Sequence, residues 1–135
     1  MANKIGINGL GRIGRATLKI ILDTPGLELV AINDLLPVEN LVYLLKYDSV
    51  YGRYEKDVKA GENGLFINGK EYRMFNEKDP AQPPWGELGI DVVFECTGIF
   101  RTKDDMKRHL KAGAKRVVLS APEKTGEVEM VVHGV

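Results

Sequence analysis

The chain has 135 residues, 44% of them hydrophobic, enough apolar material for one core and too little for two ordinary domains. Nineteen Lys plus Arg balance nineteen Asp plus Glu, so no net field draws the protein toward nucleic acid or an anionic membrane, and a small molecule is the expected partner. The single cysteine, Cys96, excludes an intrachain disulfide; with no signal-like N-terminus and no apolar stretch near the roughly 20 residues of a bilayer span, a reducing cytoplasm is expected.

In chain order, apolar runs of strand length alternate with helix-period segments, the pattern of βαβ units around a parallel sheet. Lys4-Ile5-Gly6-Ile7-Asn8 reads as the first strand. From Gly11 the set Ile13, Ala16, Ile20 and Ile21 predicts a helix burying that face, ended by Asp23-Thr24-Pro25-Gly26. Leu27 to Asn33 is a nearly continuous apolar run, as expected of a strand covered on both faces. Pro37 suits the first turn of a second helix with the stripe Val38, Leu41, Val42 and Leu45. Residues 51 to 89 break the rhythm, and Asn68-Gly69 between two short β-type runs predicts a two-residue hairpin turn, an insertion of antiparallel character. Val92-Val93-Phe94 is the next strand; Thr102 with Asp105 resembles a capping box, and the helix it opens should stop at Gly113. Val117-Val118-Leu119 and Met130-Val131-Val132 supply two more strands. The fold expected is doubly wound α/β, a mostly parallel Rossmann-type sheet with an inserted β-hairpin.

Gly9-Leu10-Gly11-Arg12-Ile13-Gly14 falls directly between the first strand and the first helix. In such a G-x-G-x-x-G, Gly9 makes the tight turn, Gly11 lets the backbone approach a pyrophosphate, and Gly14 lets helix and strand pack closely. The N–H groups of Arg12 and Ile13 then point at the phosphates, favoured by the positive end of the helix dipole. Alone the motif is weak, since a glycine-rich turn without ligand has the same letters. Asp34 adds specificity: it stands twenty residues after Gly14 at the end of the second strand, where a carboxylate accepts hydrogen bonds from an adenosine ribose. A 2′-phosphate beside it would meet like charge, and residues 35 to 45 contain no basic side chain to relieve this, so NAD is expected rather than NADP. Small or polar residues also stand at the strand ends Asn8-Gly9, Asn33-Asp34, Thr97-Gly98 and Ser120-Ala121, suited to a flat cofactor, although turn chemistry favours the same residues.

Other candidates carry less. Cys96 at the end of an apolar strand reads as a packed small hydrophobe rather than a nucleophile. Neither His109, in a charged helix, nor His133 has partners at metal-ligand spacing, so no metal is assigned. Lys103-Asp104-Asp105 with Lys107-Arg108 reads as a solvated helix face.

Taken together, Ile7-Asn8-Gly9-Leu10-Gly11-Arg12-Ile13-Gly14-Arg15, Ala31-Ile32-Asn33-Asp34, Leu45-Lys46-Tyr47-Asp48-Ser49-Val50 and Gly113-Ala114-Lys115-Arg116-Val117-Val118 resemble the N-terminal part of the glycolytic glyceraldehyde-3-phosphate dehydrogenases, across essentially the whole chain. The resemblance implies that Arg12 and Ile13 bind the pyrophosphate, Asp34 the adenosine ribose, Lys78 the adenine side through its backbone, and Ser120 the region leading to the nicotinamide. Thr97 and Gly98 would line the same crevice. Position 78 commonly holds arginine in that family, which puts a stacking contact there in doubt but not a backbone one; Cys96 stands where serine or alanine is more usual. Erythrose-4-phosphate dehydrogenase is the related alternative, with Asp34 against it and Cys96 mildly for it. A stand-alone NAD-binding module is another, and a semialdehyde or homoserine-type dehydrogenase domain a third, the last expected to lack Tyr47-Asp48-Ser49 and the Asn68-Gly69 hairpin in this order.

The resemblance further implies that the attacking cysteine and assisting histidine of the family's aldehyde oxidation fall beyond Val135. Residues 1–135 are therefore expected to be an NAD-binding domain lacking its catalytic domain, inactive alone, whether an engineered truncation, a proteolytic fragment or a split gene product. Apolar surface left by the missing last strand and C-terminal helix would then favour self-association or weaken stability. A homotetramer is expected for the full-length protein, with neither nucleic acid nor membrane as a partner.

Overall fold

A computed structural model, describing residues 3–47, 57–79, 83–97 and 103–119, turns this alternation into a seven-stranded sheet with helices on both faces. The elements are β1 (Asn3–Asn8), α1 (Arg12–Leu22), β2 (Leu27–Asn33), α2 (Val38–Lys46), β3 (Val58–Ala60), β4 (Gly64–Ile67), β5 (Lys70–Phe75), β6 (Val92–Glu95), α3 (Lys103–Lys111) and β7 (Arg116–Leu119). Strand order is β3-β4-β5-β2-β1-β6-β7. Pairings from β5 through β7 are parallel, and the order reverses between β1 and β6, where a doubly wound sheet opens its ligand crevice.

The hairpin forms where Asn-Gly predicts it. Asn68 (φ 50°) and Gly69 (φ 83°) both take the left-handed backbone that a two-residue turn demands, closing the Ile67–Lys70 pair. The antiparallel reading of residues 51 to 89 needs one correction, because β5, after pairing antiparallel with β4, runs parallel beside β2 and completes the β5-β2-β1 half of the sheet. The Thr102 cap and the Met130-Val131-Val132 strand lie outside the described residues.

Two clusters fill the faces. On one, Leu18 and Ile21 of α1 and Leu41 and Leu45 of α2 pack with Ile5, Ile7, Leu29, Ile32 and Leu65. Each such aliphatic side chain contributes roughly 1.5–3 kcal/mol by leaving water. On the other, Trp85 is fully buried with Ala31, Ile90, Val93 and Ala114. Its ring lies so close over β1 that a Cβ at Gly6 would come within 2.8 Å of it. The second helix buries the stripe expected of it; Pro37 serves as its N-cap, one residue ahead of the first turn.

The first helix buries only part of the face its apolar pattern suggests, Ile21 but not Ile13 or Ile20. Ile13 and Ile20 are 55% and 46% exposed, whereas Gly14, Leu18 and Ile21 are buried. Gly14 sets this rotation, since the helix meets the strand end at its bare Cα and the residues four and seven further on must follow it inward.

Strand β2 carries one residue more than its neighbour. Ile5 pairs with Leu29 but Gly6 with Ala31, so Val30 is a bulge. Leu29 and Ile32 consequently both enter the helix-side cluster, while Val30 and Ala31 face Trp85.

At the amino ends of the strands, Asp91 joins β1, β6 and β7. Its Oδ2 accepts from the Lys4 amide at 2.9 Å and its Oδ1 lies 3.1 Å from Lys115 Nζ. The Lys4 amide first, and the Lys115 ammonium second, hold its carboxyl below the ordinary 3.8.

Candidate functional site

The turn from β1 into α1 follows from three glycines with three different constraints. Gly9 sits at φ 96°, and a Cβ there would lie 2.8 Å from Thr97 Cγ2 and 2.9 Å from Thr97 N. Gly14 admits no side chain either, for its Cβ would fall 2.0 Å from the Gly9 carbonyl oxygen. Gly11 differs: nothing lies within 4 Å of where its Cβ would be, so the space before the helix is open. An approaching group therefore meets backbone at Gly11, with the chain on either side fixed by close packing.

Helix α1 begins without help from its own side chains. Its N-cap is Gly11, no side chain caps it, and its first turn holds no acid. Arg12 instead places a cation, exposed, at the positive end of the helix dipole, the wrong sign for helix stability. Unfilled amide donors, a positive dipole end and an arginine together suit an anion. Ile13 is turned out beside them.

Asp34 stands across from this turn at the end of β2, half-buried. Its Oδ2 accepts from the Leu10 amide at 2.6 Å, tying the second strand to the middle of the glycine loop, and its Oδ1 accepts from the Leu36 amide at 2.9 Å. The turn-forming and loop-holding roles of this acid thus coexist. Each carboxylate oxygen keeps a lone pair beyond these bonds, enough to accept one hydroxyl apiece from a vicinal diol. Leu35 and Leu36, 59% and 42% exposed, continue the rim without introducing charge.

Lys78 comes alongside through backbone ties to the same strand end. Asn33 accepts the Glu77 amide at Oδ1 and donates from Nδ2 to the Glu77 carbonyl, both at 2.8 Å, and Asn76 Nδ2 donates to the Asp34 carbonyl at 2.6 Å. The Lys78 side chain itself is exposed. Gly9, Gly11, Arg12, Ile13, Asn33, Asp34, Lys78 and Thr97 therefore all gather at the carboxyl ends of β1, β2, β5 and β6. Gly98 and Ser120, expected to line the same crevice, lie outside the described residues.

Beneath this rim is a buried polar chain that the sequence reading does not contain. Glu95 and His109 are both fully buried, as is Trp85. Glu95 Oε1 accepts from Asn8 Nδ2 at 2.6 Å and lies 2.8 Å from His109 Nε2; Glu95 Oε2 accepts from the Thr97 amide at 2.9 Å and from Thr97 Oγ1 at 2.6 Å. Trp85 Nε1 donates to His109 Nδ1 at 3.2 Å, and Asn33 Nδ2 donates to Asn8 Oδ1 at 2.8 Å. His109, read from its neighbours as part of a charged helix, is instead the inward residue of α3, while Asp104, Lys107 and Arg108 form the solvated face as expected. Cys96 is 6% exposed within the helix-side cluster, matching its reading as a packed small residue.

Comparison with known proteins accords with this geometry. A family model described as the NAD binding domain of glyceraldehyde 3-phosphate dehydrogenase matches residues 3–103. Among curated relatives, the glyceraldehyde-3-phosphate dehydrogenase of Clostridium pasteurianum is 55% identical over 119 residues, covering 88% of this chain and 36% of the relative. That of Geobacillus stearothermophilus is 48% identical over 132 residues, covering 98% and 39%, and glyceraldehyde-3-phosphate dehydrogenase 2 of Mucor circinelloides f. lusitanicus is 48% identical over 136 residues, covering 100% and 40%. The chain thus spans 36% to 40% of the length of these relatives.

Proposed function

Because the chain belongs to the glyceraldehyde-3-phosphate dehydrogenase family and matches its NAD-binding domain, we propose that it holds NAD for the oxidation of glyceraldehyde 3-phosphate to 1,3-bisphosphoglycerate with phosphate, a glycolytic step in the cytoplasm. The observation that carries this reading is the uncapped start of α1, open at Gly11 and faced by Asp34 from the next strand. Two linked phosphates would lie against the amides of Arg12 and Ile13, with Gly9 and Gly11 giving them backbone access. The two oxygens of Asp34 would take the adenosine ribose, and Asn33 would keep the Lys78 backbone beside the adenine. Thr97, with Gly98 and Ser120, would line the path toward the nicotinamide. NAD, when bound, supplies the acceptor for a hydride. These residues of the chain bind and orient it, and Asp34 opposes the 2′-phosphate of NADP.

No catalytic residue is assigned within the 135. Cys96 is packed in a core and His109 is enclosed between Trp85 and Glu95, so neither is placed to reach an aldehyde. The cysteine that attacks and the histidine that assists would belong to the remainder of the longer protein, a homotetramer in this reading. The chain alone should bind NAD, seen by calorimetry, yet form no NADH from glyceraldehyde 3-phosphate and phosphate. NADH formation by these 135 residues would overturn the placement of the chemistry, and failure of the full-length protein to bind NAD would overturn the whole reading.

A further inference from the structure

The buried chain behind the crevice has a single possible direction. At one end, Trp85 Nε1 can only donate, so His109 Nδ1 accepts and the imidazole proton sits on Nε2, aimed at Glu95 Oε1. At the other end, the Glu77 amide can only donate, which makes Asn33 Oδ1 the acceptor and Asn33 Nδ2 a donor to Asn8 Oδ1. Asn8 must then turn its own Nδ2 toward Glu95 Oε1. The Thr97 amide, another obligate donor, meets Oε2. Both ends of the network and the following loop therefore deliver donors to one residue. Only a side chain with an accepting oxygen on both sides satisfies them, and a carboxyl group is that side chain.

We propose that Glu95 is a positioning residue for NAD: by terminating these donors it sets the spacing of the four strand ends that receive the cofactor. It acts on Thr97 directly, and through Asn8 and Asn33 on the Glu77-Lys78 backbone, so one buried carboxylate links β1, β2, β5 and β6 across the crevice. The inference rests on the NAD reading above and adds to it a residue that need touch no part of the cofactor. Glutamine is almost the same shape but must put an NH₂ group against a donor on whichever side it turns. Toward Thr97 it meets a backbone N–H; toward Asn8 and His109 it can be relieved only by reversing Asn33 against Glu77 and His109 against Trp85. A buried unsatisfied pair follows either way.

The test uses the full-length protein with Glu95→Gln, Asn8→Ala and, as a control for general loss of stability, Val93→Ala, a buried residue of the same strand in the Trp85 cluster. NAD affinity is measured by calorimetry at a temperature where circular dichroism shows each protein folded, with KM for NAD and kcat measured in parallel. Glu95→Gln should raise the Kd for NAD about tenfold to a hundredfold, with KM for NAD rising by a larger factor than kcat falls. Asn8→Ala should raise Kd by a smaller factor, and Val93→Ala should lower the melting temperature while leaving Kd unchanged. In ¹⁵N spectra of the unsubstituted protein, His109 should carry its proton on Nε2, with Nδ1 as acceptor. If that protein binds NAD but Asn8→Ala binds it equally well, or Glu95→Gln binds no worse than Val93→Ala, Glu95 does not position the cofactor. A His109 proton on Nδ1 would overturn the direction of the network. No NAD binding by the unsubstituted protein would instead remove the functional reading beneath the proposal.

Discussion

The two ends of the same parallel strands are held together by opposite means. At the amino ends, Asp91 meets Lys115 and the Lys4 amide close to solvent, with 26% of the Asp91 side chain and 74% of the Lys115 side chain exposed. At the carboxyl ends, Asn8, Asn33, Glu95 and His109 are all but shut off from water, and the hydrogen bonds that join them each have one possible donor and acceptor. Solvent screens the first arrangement and can replace any partner lost from it, so it tolerates change. The second has no such substitute, and a lost partner leaves a buried polar group unpaired. The end of the sheet that faces the proposed cofactor is therefore the end where geometry is least negotiable.

Substitutions at the two ends should separate these regimes. Gly14→Ala should have the largest effect: alanine ordinarily favours a helix over glycine by about 1 kcal/mol, but here the added methyl would sit 2.0 Å from the Gly9 carbonyl oxygen. We expect a loss of about 1–3 kcal/mol in urea unfolding together with loss of measurable NAD binding as α1 moves off the strand. Asp34→Ala should come next, raising the Kd for NAD about tenfold or more and narrowing the preference for NAD over NADP, both read by calorimetry; unchanged affinities for both cofactors would remove Asp34 from the site. Asp91→Asn should matter least, lowering stability slightly above pH 3.8 and converging with the parent in acid. Because folding lowers the Asp91 pKa from 3.8, the unfolded chain takes up the proton first, and the contribution is complete above 3.8 and lost as pH falls through the lowered value. The urea midpoint of the variant should accordingly fall less steeply below pH 3.8 than that of the parent, with NAD affinity at neutral pH unchanged.

What could be read from the sequence was whatever is encoded over short distances. The β1–α1 turn was legible because each glycine answers a local demand, and the Asn68-Gly69 turn because two left-handed residues in a row admit few alternatives. Asp34 stood out by its distance from the glycine loop, and Asn33 by its place at a strand end; the structure sets Asp34 against the Leu10 amide. The rotation of α1 was not, because the isoleucine pattern at Ile13 and Ile20 competes with a single contact at Gly14 that no hydrophobicity pattern registers. Nor was the buried network, whose bonds join residues 14, 25 and 87 positions apart. One signal did exist for it: Glu95 ends the otherwise apolar run Val92-Val93-Phe94, and a carboxylate in a strand covered on both faces requires internal donors. His109 offered less, lying among Lys107, Arg108 and Lys111 with its partner Trp85 in a separate loop.

The bulge at Val30 resolves a conflict of parity. In an unbroken strand Leu29 and Asn33, four positions apart, would share a side, yet Leu29 is needed among the aliphatic side chains under the helices and Asn33 opposite Asn8 on the tryptophan side. A single supernumerary residue lets one strand obey both requirements, its first half keyed to the core and its second half to the binding mouth. Any redesign that irons β2 into a regular ladder must surrender one of them.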